Sequence, residues 1–257
     1  MIELVNLKKS FGAYRGAKPD KVGLAHPGPI TEVLKGVSAR IEEGEMVSIV
    51  GRSGSGKSSL LYLISTLDKP SSGEVIIDGV PVSSLSSTDL HRFRNEKMGY
   101  VFQFHHLLPE LTCIENVLMP ARKTGQEKAL RKRAMDLLGE FGLSQKADRR
   151  ANQISGGEQQ RVAIARALIM EPRYLFADEP TGNLDSRNGE AVLRFFQNIH
   201  RDRGTTIVYV THDPLFAELA DREIQLADGL VVSSASHPHP LQRPNRPLPG
   251  PEAIPVV

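Results

Sequence analysis

The chain has 257 residues, 40% apolar and 24% charged, with 32 Lys and Arg against 30 Asp and Glu. That apolar share supports a substantial core and excludes global disorder, and the length suits one large domain or two small lobes. A net charge of +2 argues against a duplex nucleic-acid binder held by a basic face, and a single cysteine, Cys113, excludes a disulfide framework or Cys-rich zinc site and fits a reducing compartment.

Along the chain, Met1-Ile2-Glu3-Leu4-Val5 reads as a strand and not as a secretory signal. No apolar run approaches the roughly 18 residues of a membrane span, so the chain is expected to be soluble and intracellular. Residues 1–7 and 33–41 alternate like strands, separated by a Gly- and Pro-rich loop from Gly12 to Ile30. Met46-Val47-Ser48-Ile49-Val50, bounded by glycines, fits a strand buried in a parallel sheet. A helix is expected from Lys57, with Leu60, Leu61, Ile64 and Leu67 on one face. Val75-Ile76-Ile77 followed by Asp78-Gly79 predicts a strand entering a hairpin turn.

From about 107 to 153 the pattern becomes helical. Thr112 and Glu115 form a capping box before Val117-Leu118-Met119, and Ala134, Leu137, Leu138 and Phe141 make an apolar stripe. Lys128 to Arg133 reads as a solvated helix face. Next come a helix through Val162 and Ala165, a strand Tyr174–Ala177, a helix presenting Val192, Phe195, Phe196 and Ile199, and a strand Thr206–Val210. Such alternation implies a mostly parallel, helix-covered sheet with a helical lobe inserted at about 107–153. Residues 233–257 hold seven of the 17 prolines, so the folded domain is expected over 1–232 with a Pro-rich, disordered tail after it.

Gly51-Arg52-Ser53-Gly54-Ser55-Gly56-Lys57-Ser58 fits the phosphate-loop pattern G-x-x-x-x-G-K-[ST] between a buried strand and a helix. About one unrelated chain of this length in a hundred carries the string by chance, before the strand–helix context is required. Its glycines let backbone N–H groups wrap phosphate oxygens at a helix N-terminus, Lys57 can reach the β- and γ-phosphates, and Ser58 can ligate Mg²⁺. Asp178-Glu179 ends a buried strand, where a carboxylate pair is costly unless it serves a cation or a reaction. Asp178 is placed to hold Mg²⁺ and Glu179 to orient or deprotonate an attacking water. Thr211-His212-Asp213 ends the last of these strands, so a phosphate loop, two acids and a histidine converge on one sheet edge.

Ile154-Ser155-Gly156-Gly157-Glu158-Gln159-Gln160-Arg161, followed by Val162-Ala163-Ile164-Ala165-Arg166-Ala167, resembles the signature of ATP-binding cassette (ABC) ATPases, with Ile154 for Leu and Glu158 for Gln as departures. The resemblance spans about 1–232 and implies a P-loop NTPase (RecA-like) α/β core with a small antiparallel β-subdomain and an inserted helical subdomain. It implies ATP and Mg²⁺ as ligands, with the loop from Gly51 through Ser59 cradling phosphate. It makes Gln103 the sensor of metal and γ-phosphate, His212 the switch histidine, and Asp185 part of the loop crossing a dimer interface. Ser155, Gly156 and Gly157 would bind nucleotide held by a second, identical cassette. Phe11 is the candidate for stacking on adenine, with Tyr14 as its rival.

Phe102 to Pro109 and Ala177 to Asp185 look like the lipoprotein-releasing branch of that family, with MacB-type export and FtsE-type division cassettes close by. By that resemblance the chain drives membrane permease subunits, contacted near Phe104–Thr112, from the cytoplasmic face of a bacterial inner membrane. Its cargo would be lipoprotein, and no nucleic acid is involved. The adjacent His105 and His106 suit a protein-binding face better than a metal site. A soluble ABC protein of DNA repair or translation would need zinc or coiled-coil inserts or a second cassette, which this sequence lacks.

Overall fold

The computed structural model describes residues 1–12, 30–182 and 186–237. Tyr14, most of the Gly12–Ile30 loop, Asn183 to Asp185 and the tail from Pro238 lie outside the described residues.

The chain forms β1 (Ile2–Phe11), β2 (Thr31–Ile41), β3 (Met46–Val50), α1 (Lys57–Ile64), β4 (Ser72–Ile77), β5 (Val80–Pro81), α2 (Ser87–Lys97) and β6 (Met98–Val101). The helical lobe follows as α3 (Cys113–Lys123) and α4 (Glu127–Glu140). Then come α5 (Gly156–Leu168), β7 (Tyr174–Asp178), α6 (Ser186–Arg203), β8 (Thr206–Val210), α7 (Pro214–Ala217), β9 (Arg222–Ala227) and β10 (Leu230–Ser236).

β2-β1-β4-β5 make an antiparallel sheet, and β10-β9-β3-β8-β7-β6 make the main one. In the main sheet β9, β3, β8, β7 and β6 run parallel and only β10 is antiparallel. The central strands β7 and β8 are buried throughout, which is why they read as continuous apolar runs. Strand alternation then assigns each residue to a face. Tyr174, Phe176, Val208 and Val210 pack with α1 and the antiparallel sheet, whereas Leu175, Ala177, Ile207 and Tyr209 pack with α3 to α6. Each large side chain so buried contributes about 1.5–3 kcal/mol.

The hairpin turn forms as predicted, Asp78 and Gly79 both taking positive φ (53° and 77°) between β4 and β5. The capping box of α3 closes too, Glu115 N–H donating to Thr112 Oγ1 at 3.3 Å and Thr112 N–H to Glu115 Oε2 at 2.8 Å.

Three sequence expectations need correction. Leu67 is not on the buried face of α1: the helix ends at Ile64, Thr66 turns left-handed (φ 60°), and Leu67 emerges 40% exposed. Arg133 is not merely solvated, because its guanidinium donates to the carbonyls of Leu168 and Ile169 at the end of α5 and pairs with Glu171. The tail does not begin at Ser233, since Ser233–Ser236 pair with β9 in β10, and the His237 N–H reaches the Asp221 carbonyl at 2.7 Å.

Candidate active site

Four adjacent parallel strands set the site. At the C-terminal ends of β3, β8, β7 and β6 follow, in that spatial order, the Gly51–Ser59 loop, His212, Asp178-Glu179 and Gln103. That edge is where ligands bind in open α/β sheets.

The loop is built for close approach. Gly51 has φ 151°, and a Cβ there would meet the Leu226 carbonyl oxygen at 2.2 Å; Gly56 has φ 101° and would press on Leu34 and Val33. No side chain caps the start of α1 at Gly56, in contrast to α2, α3 and α5, which Ser86, Thr112 and Ser155 cap. The first-turn amides of α1 therefore face outward with the positive end of the helix dipole, ready for an anion. Ser55 Oγ is buried in the same loop with no partner among the described residues. Lys57 folds its ammonium back over the loop, donating to the Gly51 and Arg52 carbonyls at 3.0 and 3.1 Å. Arg52, Ser53 and Gly54 are exposed at the rim.

Asp178 is 8% exposed and accepts from Ser58 Oγ at 3.0 Å and from Tyr62 Oη at 2.9 Å. Among the described residues no Lys or Arg forms an ion pair with it, so the donor set is hydroxyls and one carboxylate, hard oxygens of the kind Mg²⁺ prefers. Sequence reading missed Tyr62. Its signal was spacing: four residues after Ser58, it lies on the same helical face. Burial, then the bond to Asp178, pushes the Tyr62 hydroxyl up to about 12, so it stays a donor at neutral pH.

Glu179 follows with φ 44°, a left-handed conformation that costs a non-glycine residue about 1–2 kcal/mol. Two backbone bonds hold it there, Glu179 N–H to the Val210 carbonyl at 3.1 Å and Gly182 N–H to the Glu179 carbonyl at 3.0 Å. Its Oε2 lies 3.5 Å from His212 Nδ1. His212 is 65% exposed and is carried by a turn in which the Asp213 N–H donates to the buried Thr211 hydroxyl at 3.1 Å. Gly182 sits between the acid and the amide, for a Cβ there would be 3.2 Å from both Glu179 Oε2 and Gln103 Nε2.

The remaining expected residues lie farther off. Phe11 ends β1, is 50% exposed, and has the Lys9 ammonium 5.0 Å from its ring centroid. Ser155 caps α5 in a full capping box: its N–H donates to Glu158 Oε2 at 2.9 Å, and Glu158 N–H donates to Ser155 Oγ. Burial acts to raise the Glu158 carboxyl, yet the bonds from Lys146 and Ser155 outweigh it and hold the group below its usual range. Ser155 and Gly156 are exposed, and no hydrogen bond or ion pair among the described residues joins 155–157 to the phosphate loop. This second glycine-bearing helix start faces solvent.

Beyond Gln103, Phe104 is 70% and Leu108 42% exposed. A cavity of about 400 Å³ is lined by Arg94, Tyr100, Phe102, His106, Lys123 and Arg166 among others. It lies away from the phosphate loop, between α2, α3 and α5. No helix among the described residues is long and apolar enough to cross a membrane.

Known proteins match this arrangement. The lipoprotein-releasing system ATP-binding protein LolD of Leptospira interrogans is 54% identical over 232 residues, covering 90% of this chain and 91% of that protein. The protein of the same description from Bacteroides fragilis is 44% identical over 233 residues, covering 90% and 100%. Among solved structures, a dimeric ATP-binding cassette in a post-hydrolysis state bound to ADP and Pi is 40% identical with a TM-score of 0.79, covering 92% of this chain and 98% of that one. The sequence model of the family described as ABC transporter matches residues 34–182. Matched to that family model over residues 34–182, and 54% identical to the Leptospira protein over nine-tenths of its length, the chain belongs to the ABC transporter family.

Proposed function

We propose that this chain is the ATP-hydrolysing motor of a membrane complex that releases lipoproteins from the inner membrane towards the outer membrane. The observation that carries the ATPase reading is the Ser58–Asp178 pair beside an uncapped helix start, a cation site and an anion site side by side. Relatives named for lipoprotein release, 44–54% identical over nine-tenths of the chain, support the cargo.

In this reading the first-turn amides of α1 and Lys57 bind the β- and γ-phosphates, with Gly51 to Ser59 as the cradle. Ser58 and Asp178 would hold Mg²⁺, with Gln103 as its sensor, and the ion would supply neutralisation of phosphate charge. Glu179 accepts the proton of an in-line water, its carboxylate lying between His212 and Gly182. His212 stands beside that acid and steadies the γ-phosphate. Phe11 provides the aromatic surface for adenine. Ser155, Gly156 and Gly157 of a second copy close the site, presenting an exposed, glycine-bearing helix start whose dipole favours an anion. Asp185 takes part at the same dimer interface. The folded unit is the cassette itself, with its helical subdomain at about 107–153. Permease subunits dock at Phe104–Thr112, and the chain works peripherally at the cytoplasmic face.

The test is to trap Glu179→Gln with ATP in native membranes and identify what co-purifies by mass spectrometry. Permease subunits carrying acylated protein are expected. Recovery of cell-wall enzymes instead would replace lipoprotein release with an FtsE-type role, and recovery of no membrane protein would overturn the motor reading.

A further inference from the structure

Helix α5 makes two contacts that its capping box does not explain. Gln160, 1% exposed, donates from Nε2 to the Pro180 carbonyl at 2.7 Å. The other end of the same amide, Oε1, is buried with no partner among the described residues. A buried orphan acceptor costs stability, so an apolar side chain would serve packing alone better. What the amide supplies is a bond to the residue directly after Glu179.

Arg166, farther along the helix, sends its two terminal nitrogens to the carbonyls of His105 and His106 at 2.6 Å each. Both histidines hold positive φ (56° and 47°), so the guanidinium fork stabilises an otherwise unfavourable turn two residues beyond Gln103. Among the described residues no carboxylate forms an ion pair with Arg166, whose cation is committed to these backbone oxygens. Burial brings its pKa down to about 10, which still leaves it charged at neutral pH. Both loops of the site, one bearing Gln103 and one bearing Glu179, are thus gripped by the helix whose N-terminus is Ser155–Gly157.

We infer that Gln160 and Arg166 are positioning residues that make α5 a strut, fixing Gln103 and Glu179 of each chain in register with that chain's own Ser155–Gly157 helix start. The inference rests on the reading that this start completes the nucleotide site of a second copy. Each α5, 13 residues and about 20 Å long, then belongs to two sites at once, gripping its own and capping its neighbour's. Loss of either grip would then uncouple a chain's own site from the one its helix start caps, and weaken cooperativity between them.

The experiment measures phosphate release by the full chain against magnesium-ATP concentration, together with ATP affinity and thermal unfolding. Gln160→Met and Arg166→Met keep the apolar stems and remove the bonds; Gln160→Glu and Arg166→Lys keep size or charge but lose the donor or the fork. The wild-type Hill coefficient should approach 2 and fall to about 1 in all four variants, with turnover about tenfold lower. ATP affinity and unfolding midpoint should move little in the conservative pair. Wild-type cooperativity retained in the variants, or restored by Arg166→Lys, overturns the strut, as does a wild-type coefficient of one. ATP-dependent pairing of Glu179→Gln, measured separately, shows whether the dimer reading itself survives.

Discussion

Gly182 shows how one hydrogen atom can organise a site, since any larger side chain there would crowd the ends of Gln103 and Glu179 at 3.2 Å. Gly182→Ala should fold normally, because both neighbours are flexible side-chain tips, yet lower ATP turnover at least several-fold with ATP affinity kept. A wild-type kcat would remove Gly182 from the site. His200 offers a pH test elsewhere. Its Nε2 lies 3.2 Å from Asp221 Oδ2, and that bond, opposed by burial, raises the imidazole above its ordinary value. Because the folded value is the higher one, the stabilisation is whole below about pH 6.5 and fades as pH climbs through the raised value. His200→Gln should therefore lower the urea midpoint more at pH about 5.5 than at about 9, and an equal loss at both would contradict the assignment. At this scale the sequence pointed to residues tied to a motif, Lys57, Ser58, Asp178, Glu179 and His212, and the fold brings them to one edge. It hid Tyr62, and although it placed Gly182 and Gln160 within motifs it could not show the contacts the fold brings against them.

Elements were legible in proportion to how much they bury. β3, β7 and β8 announce themselves as apolar runs because helices cover both faces. α2 buries no residue and so has no apolar period; its only signal was Ser86 capping Asp89. β6 is four residues with a glycine, and β10 is a serine-rich edge strand that reads as tail. The segment at 107–112, expected within the helical lobe, precedes α3 as irregular backbone that buried Asn116 ties down. Asn116 Oδ1 accepts from the Leu108 N–H at 2.8 Å, and Nδ2 donates to the carbonyls of Leu108, Leu111 and Thr112 at 3.0–3.3 Å. Asn116→Ala should cost about 1–3 kcal/mol by stranding those backbone groups. Thr112→Ala, which opens the α3 capping box, should cost about 1 kcal/mol. Urea unfolding of the two variants checks the order, and a smaller loss for Asn116→Ala would contradict it.

At the scale of the whole molecule, the parallel order β3-β8-β7-β6 puts the phosphate loop, His212, the acids and Gln103 on one edge, and alternating strands with helices was enough to predict that sheet. The sequence could not show that Ser155 and Gly156 are exposed and that, among the described residues, no hydrogen bond or ion pair joins 155–157 to the chain's own phosphate loop. In the proposed function that exposed helix start serves the site of a second copy. Glu179→Gln should keep ATP bound and unhydrolysed, and so accumulate the closed pair. The most direct test is the molar mass of purified Glu179→Gln by light scattering, with and without magnesium-ATP, beside the same protein carrying Lys57→Ala. The expected result is a twofold rise in mass on adding magnesium-ATP, abolished by Lys57→Ala. An unchanged mass at saturating ATP would contradict a site shared between two chains.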